Sequence, residues 1–371
     1  MRQSSFIGAR KSEPVGPAAR ASAHSISFLD LKAQYATIRH EVLEAVGRVL
    51  ESQEFILGME VELFEEAMAL FVGVPEAVGC ASGSDALYLA LRALGVGQGD
   101  EVITSPFTFV ATADAIARTG AVPVFVDIHP ETFNLDPARI EPAITEKTRA
   151  ILPVHLFGLA AEMNRILAIA REHNLAVIED AAQSIGSTYR GAAVGSLGSL
   201  GCFSFFPSNN LGGAGDGGMV TTHDPELADR IRLLRSHGSR RKHEFEVVGL
   251  NSRLDAIQAA ILRVKLRYLR EWEQQRARNA ARYHELFRDN GLEGQIVLPV
   301  TPPNCTHVFN QYVIRCRNRS SLRAFLSESG IPTDVYYPTP LHLQPAFSYL
   351  GQRRGSLPAA EAASSEVLAL P

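Results

Sequence analysis

Between about residues 76 and 222, short apolar runs alternate with amphipathic stretches at helical spacing. The runs predict strands at Val78–Ala81, Glu101–Ser105, Val122–Ile128, Arg149–His155 and Ala176–Asp180. Between them the pattern predicts helices from Ser84, as N-cap, to Gly95, near Pro137–Ile144 and over Glu162–Glu172. Strands separated by helices of roughly ten residues argue a mainly parallel, doubly wound α/β sheet, whose ligands sit at the carboxyl ends of the strands. Upstream, a helix over about Ile38–Leu50 and a second amphipathic segment, SQEFILGMEVELFEEAMALF, lead into the sheet. Downstream come an apolar strand (Leu200–Phe206), a polar loop (Pro207–Asn210), a glycine-rich turn and a strand (Gly218–Thr222). A helix at Pro225–Arg235 and a long one over Ser252–Phe287 follow, then a strand at Val308–Arg315 and a helix at Ser321–Ser329. This order predicts an extension (1–25), a large domain (26–265) and a smaller α+β domain (266–371).

Composition adds little beyond exclusion. The chain has 371 residues and a net charge of −4, which gives no general attraction to nucleic acid. No run of about 18 apolar residues exists, so no membrane span is expected. The four cysteines (Cys80, Cys202, Cys305, Cys316) lack CxxC or Cys/His ligand spacing. They read as reduced thiols of a cytoplasmic protein without a metal site. Residues 1–25 carry basic residues without the apolar middle of a secretory signal, and read as a disordered extension.

Several residues invite chemistry, each beside a plainer reading. A strand, a Ser-Gly-Ser turn and a helix start at Ser84 and Asp85 form an anion site, since free N–H groups and the helix dipole converge there; many capped helices bind nothing. Asp180, ending a buried strand, requires a cationic partner, or else Glu179 and Asp180 cap a helix. His155 is either a satisfied core histidine or a substrate contact. Gly213, Gly215 and Gly218 spell G-x-G-x-x-G, but that fingerprint must open a helix, and here it opens a strand. The basic run Arg240, Arg241, Lys242 is a solvated loop or an anion contact.

The run F-S-F-F-P-S-x-N-L-G-G-x-G-D-G-G-M-V at residues 203–220 closely resembles the cofactor loop of the DegT/DnrJ/EryC1/StrS sugar aminotransferases. So do FLDLKAQY, FILGxEVExFE, SGSDAL, VIEDAAQS, GxNSRLDxxQAAIL and YPxPLH, in the family's order over about residues 26–371. The resemblance implies a fold type I pyridoxal-phosphate transferase and amino transfer from glutamate or glutamine to a keto group on a nucleotide-linked sugar. It implies that Ser84, Asp85 and Ser204 meet the cofactor phosphate, that Phe107, which by itself reads as an ordinary core phenylalanine, stacks on the pyridine ring, that Asp180 holds the ring nitrogen protonated and that Gln183 touches its phenolic side. Asn251 would reach the phosphate of the neighbouring subunit, making an obligate homodimer; its plainer reading is a buried cap of the long helix. Tyr337 and His342, with His155, would lie near the substrate; turn and packing roles suit Tyr337 and His342 equally. Family members continue beyond V-L-A-L-P for a few tens of residues, so the small domain is expected to be incomplete, with an apolar face uncovered.

The family's Schiff-base lysine falls at position 209, and position 209 is asparagine. The chain has five lysines (Lys11, Lys32, Lys147, Lys242, Lys265), none next to this loop in sequence. A lysine amine forms the imine and then moves the proton; a carboxamide does neither. Turnover is therefore expected to be negligible, with the cofactor held non-covalently or as an imine with an amino sugar. Three readings follow: an introduced change that halts an aminotransferase, a non-catalytic binding homologue or dimer partner, and sugar dehydratase-like chemistry. The last ranks lowest, because asparagine is no base at neutral pH.

Overall fold

The computed structural model describes residues 26–371; the predicted extension over 1–25 lies outside them. Two helices, α1 (Leu31–Ser52) and α2 (Met59–Val72), precede the sheet. Asp30 caps α1 by accepting from the Ala33 amide at 2.9 Å, and Ile38, Val42, Ala45 and Val49 form its buried stripe at helical spacing. Then come β1 (Glu76–Cys80), α3 (Gly83–Ala93), β2 (Glu101–Thr104), α4 (Ala111–Arg118), β3 (Val122–Phe125), β4 (Thr148–Leu152), α5 (Met163–Glu172) and β5 (Ala176–Asp180). A small hairpin of β6 (Thr188–Tyr189) and β7 (Ala192–Ala193) leads to β8 (Leu200–Ser204), β9 (Gly218–Thr222) and α6 (Pro225–Arg235). An exposed ribbon of β10 (Ser239–Arg241) and β11 (Glu244–Phe245) precedes α7 (Ala256–Leu266) and α8 (Leu269–Asp289). The chain closes with β12 (Ile296–Val297), β13 (Tyr312–Cys316), α9 (Arg319–Glu328), α10 (Pro358–Glu366) and β14 (Val367–Leu370).

The main sheet has the order β1-β9-β8-β5-β4-β2-β3. All its ladders are parallel except those of β9, which runs against both β1 and β8. This is the predicted mainly parallel α/β sheet. The carboxyl ends of β1, β2, β5 and β8 therefore open on one edge, together with the start of β9. A second sheet, β12-β13-β14, is antiparallel. An apolar cluster joining Phe107, Phe125, Phe133 and Phe157 to Val313, Leu341, Phe347 and Ala369 fastens the first half of the chain to its last part. On α9, Phe325 stays 65% exposed.

Several predicted elements differ from those observed. The helix expected near Pro137–Ile144 is two 3₁₀ turns, because Pro142 lacks the donor a continuous helix requires. The strand expected to reach His155 stops at Leu152, before Pro153. The helix expected over Ser252–Phe287 starts only after Asp255, whose side chain accepts from the Gln258 amide at 2.8 Å. It divides at Arg267–Tyr268, where both amides bond three residues back in a tight 3₁₀ turn, with no Gly or Pro to announce it. On α8, Glu273 is buried against Gly186, where a Cβ would lie 1.7 Å from its Oε1. The four cysteines are unpaired, and no described helix is long and apolar enough to cross a membrane.

Candidate functional site

At the carboxyl edge of the sheet, β1 runs into the turn Ala81–Ser82–Gly83 and α3. Ser82, not Ser84, is the N-cap: its Oγ accepts from the Asp85 amide at 3.1 Å. The spacing S-x-x-D at 82–85 is the capping-box signal that marks this start. Asp85 spends its amide on that cap and turns its carboxylate toward Arg118, 3.5 Å away. The donors that remain at this helix start are therefore the amides and hydroxyl around Gly83 and Ser84.

The far wall of this cradle is Ser204, the last residue of β8. A Cβ on Gly83 would lie 2.5 Å from the Ser204 Cβ and 2.9 Å from its Oγ, and one on Gly218 would lie 2.3 Å from the Ser82 carbonyl oxygen. Only glycine allows these backbones so close, and the result is a concave nest of donors at a helix N-terminus.

From Ser204 the chain enters the loop that carries position 209. Phe205 holds both sides of it, donating to the Gly217 carbonyl and accepting from the Gly213 amide, each at 2.8 Å. Asn209 folds back onto the loop, its Nδ2 donating to the Ser204 carbonyl at 3.2 Å. Asn210 is buried and donates to the Val308 carbonyl at 3.3 Å. Lys265, distant in sequence, reaches the far end of the loop and donates to the Gly212 carbonyl. Burial lowers its amine to a pKa of about 8.

Asp180 ends β5 with 4% exposure. Its Oδ2 accepts from Thr112 Oγ1 at 2.8 Å and its Oδ1 from the Ala182 amide at 3.2 Å. Burial raises its pKa, and the Thr112 and Ala182 hydrogen bonds pull it back. A buried carboxyl so placed favours a cation at its free lone pairs. Glu179 points the other way. It gathers the amides of Gly195 (2.8 Å), Leu197 and Gly198 (both 2.7 Å), so the helix-capping reading of this acidic pair is replaced by a turn-gathering one.

That network also occupies His155. Its Nε2 donates to Glu179 Oε2 at 2.8 Å while its Nδ1 accepts from the Ala161 amide at 3.0 Å, and the side chain is wholly buried. With both ring nitrogens committed internally, His155 is a satisfied core histidine. His342 is likewise buried, its Nε2 3.1 Å from Glu361 on α10.

Gln183 and Tyr337 meet as a pair: Gln183 Nε2 donates to the Tyr337 hydroxyl at 3.0 Å, and its Oε1 accepts from the Phe157 amide at 2.8 Å. Burial raises the Tyr337 pKa. Phe107 is wholly buried, at 0% exposure, its ring enclosed by Phe133, Phe157 and Tyr337. It has no free face to offer a ligand ring. Phe109, two residues on, is 56% exposed and adjoins Tyr337 at 6.5 Å. It starts the turn bearing Thr112, the donor to Asp180. Sequence reading missed it because S-P-F-T-F offers two aromatics of opposite exposure.

Asn251 is exposed, on a segment bridged to Ser236, and caps no helix. Arg240 lies on the exposed ribbon, held by Asp229 at 2.7 and 2.5 Å and by Glu246 at 3.4 Å, partners that raise its pKa. Arg241 and Lys242 are exposed beside it.

The sequence profile of the DegT/DnrJ/EryC1/StrS aminotransferase family matches residues 36–371. The chain belongs to this family. It is 52% identical over 347 residues to the "Pleiotropic regulatory protein" of Geobacillus stearothermophilus, covering 94% of this chain and 93% of that one. It is 47% identical to the dTDP-3-amino-3,4,6-trideoxy-alpha-D-glucose transaminase of Streptomyces venezuelae, covering 95% and 92%. The crystal structure of S. venezuelae DesV in complex with a ketimine intermediate superposes with a TM-score of 0.90 at 47% identity, over 94% of this chain and 93% of that one. The fold is thus that of the fold type I aminotransferases, and the family implies pyridoxal phosphate. The residues present fit the non-covalent part of that cofactor: a glycine cradle at Gly83 and Ser204, a buried acid at Asp180 and an exposed aromatic face at Phe109. At the position that the resemblance assigns to the covalent lysine, Asn209 offers no amine.

Proposed function

We propose that this chain is a sugar-aminotransferase scaffold that binds pyridoxal phosphate and a nucleotide-linked amino or keto sugar, with negligible turnover because Asn209 stands at the lysine position. The observation that carries this reading is the placement of Asn209: its amide is bonded to the carbonyl of Ser204, the residue that walls the anion cradle. Pyridoxal phosphate, when bound, supplies the electron sink for amino transfer. Ser82, Gly83, Ser84 and Ser204 hold its phosphate by backbone N–H and hydroxyl donors. Asp180, steadied by Thr112, keeps a proton on the ring nitrogen. Phe109, in place of Phe107, covers a ring face, and Gln183, oriented by Tyr337, addresses the phenolic side. Asn209 neither bonds the cofactor covalently nor accepts a proton, and loss of a positioned base alone costs on the order of 10²–10⁴-fold in rate.

The assembly in this reading is a homodimer, with Asn251 reaching the partner's phosphate site and the sugar nucleotide lying near Arg241 and Lys242. Exposed Ile56, Met59, Phe206 and Val248 support it as large apolar side chains that a partner subunit would cover, Phe109 being given to the cofactor in this reading. The amino donor is glutamate or glutamine. Four unpaired thiols suit a reducing compartment such as the cytoplasm. A second reading is a non-catalytic binding homologue or dimer partner; the Geobacillus relative carries a regulatory name.

The test is the absorption spectrum of the purified chain with added pyridoxal phosphate, with and without borohydride, beside Asn209→Lys. Binding without a reducible lysine adduct in the parent, and with one in the variant, is the expected result. Absence of binding in both would remove the cofactor pocket from the reading.

A further inference from the structure

The F-I-L-G-x-E-V-E-x-F-E text ends on Glu65, which the proposed function leaves unused. Glu65 lies on α2, side chain 10% exposed, and meets Arg235 at the end of α6, 8% exposed, at 2.5 Å. The two clamp one residue of β1. The same Glu65 Oε1 accepts from the Gly79 amide at 2.7 Å, and the same Arg235 Nη1 donates to the Gly79 carbonyl at 2.6 Å. β1 is an edge strand, paired only with β9, so its outward N–H and C=O at Gly79 have no neighbouring strand. The ion pair supplies both partners, one acceptor and one donor, in the plane of the missing ladder. Room for this depends on glycine: a Cβ at position 79 would sit 3.2 Å from the Leu254 Cβ and 3.4 Å from Glu65 Oε1.

Arg235 reaches a second segment through its backbone. Its carbonyl accepts from the Ser252 amide at 2.9 Å, and Ser252 Oγ accepts from the Ala81 amide at 3.2 Å. Next door, the Leu250 amide donates to the Leu234 carbonyl at 2.7 Å, and Ser236 bridges Asn251. Two stretches about 170 residues apart in sequence therefore meet at the end of α6: the one entering the Ser82–Asp85 turn through the Glu65–Arg235 side chains, and the one carrying Asn251 through the main-chain carbonyls of Leu234 and Arg235. A buried ion pair gives little net stability over apolar side chains of similar volume. Apolar residues here would leave the Gly79 donor and acceptor unpaired. Arg235 Nε has no partner among the described residues, so the guanidinium is held for its Nη1 contacts and not by full satisfaction of its donors.

We propose that Glu65 and Arg235 are positioning residues for anion binding, fixing the Ser82–Asp85 cradle and the Asn251 segment in one register. The phosphate part of this inference rests on the cofactor reading above; the coupling of the two segments does not. The experiment compares the full chain with Glu65→Gln and Arg235→Gln by amide hydrogen exchange without cofactor, and by titration with pyridoxal phosphate and with pyridoxal, which lacks the phosphate. Urea unfolding checks that each variant is folded. In either variant, exchange rises together in peptides covering 79–85 and 250–252, and pyridoxal phosphate affinity falls by about tenfold or more while pyridoxal affinity holds, as expected when one partner of a buried pair is left uncompensated. Should Arg235→Gln not fold, Ser252→Ala removes only the Ala81 tie and shifts the same readouts by about threefold, the effect of one hydrogen bond. Exchange that rises in one segment alone, or equal loss of both affinities, overturns the proposal. If the parent binds neither pyridoxal phosphate nor inorganic phosphate, the cofactor reading falls and the paired exchange still decides the coupling.

Discussion

Glu273 gives the fold a measurable pH dependence. It is buried on α8 against Gly186, with Oε1 unpartnered among the described residues and Oε2 3.4 Å from Arg270. Burial raises its pKa from 4.5 to about 7, against the pull of Arg270 and Arg276. Below about pH 4.5 the carboxyl is protonated in the folded and unfolded chain alike, and it contributes nothing to pH dependence. Between about 4.5 and 7 the folded chain keeps a proton that the unfolded chain has lost, so stability falls as pH rises. Above about 7 the whole cost is present, about 3 kcal/mol from 1.36 kcal/mol per pKa unit. Glu273→Gln keeps the shape and removes the ionisation. Urea unfolding of parent and variant from pH 5 to 8.5 is expected to show the variant gaining relative stability with pH, then levelling off above about 7.5. Parallel pH curves for the two proteins would refute the argument that Glu273 is forced to ionise in a dry site.

Four other expectations concern the site. Asn209→Lys is expected to gain a borohydride-reducible adduct with pyridoxal phosphate and transamination of a keto-sugar nucleotide, read by absorbance and product assay; a chain that binds the cofactor yet stays silent across a broad donor and sugar panel counts against a merely missing amine. Gly83→Ala places a Cβ 2.5 Å from the Ser204 Cβ, so helix and strand must part; a cost of about 1–3 kcal/mol is expected, with loss of phosphate-dependent binding in a titration. Phe107→Ala is expected to cost about 3–5 kcal/mol of stability as a core truncation. Phe109→Ala is expected to leave unfolding near the parent and weaken cofactor binding, and the reverse ranking would restore Phe107 as the ring-stacking residue.

The alternation of apolar runs and helices was enough to predict the sheet, because strands buried on both faces read as continuous apolar text. Element ends set by sharp chemistry, such as Asp224–Pro225 at the start of α6, were legible too. The break at Arg267–Tyr268 was not, since it is made by hydrogen bonding without a breaking residue. Within the site, the motif positions marked the right loops but not which side chains face outward. His155 and Phe107 occupy those loops with their polar atoms or faces already committed, and exposure, which sequence does not carry, separates Phe107 from Phe109. The Glu65–Arg235 contact spans 170 positions and was invisible for the same reason that any long-range pair is.

Because β9 runs against its neighbours, the loop carrying residue 209 leaves and re-enters the sheet at the same edge, closed by the Phe205 and Gly217 backbones. Its shape is set by glycines and main-chain bonds on either side, and the side chain at 209 contributes only one hydrogen bond to it. The side chain at 209 thus carries little of the loop's shape. The TM-score of 0.90 to DesV is thus a statement about the backbone around residue 209, and closeness of shape does not report which side chain stands there.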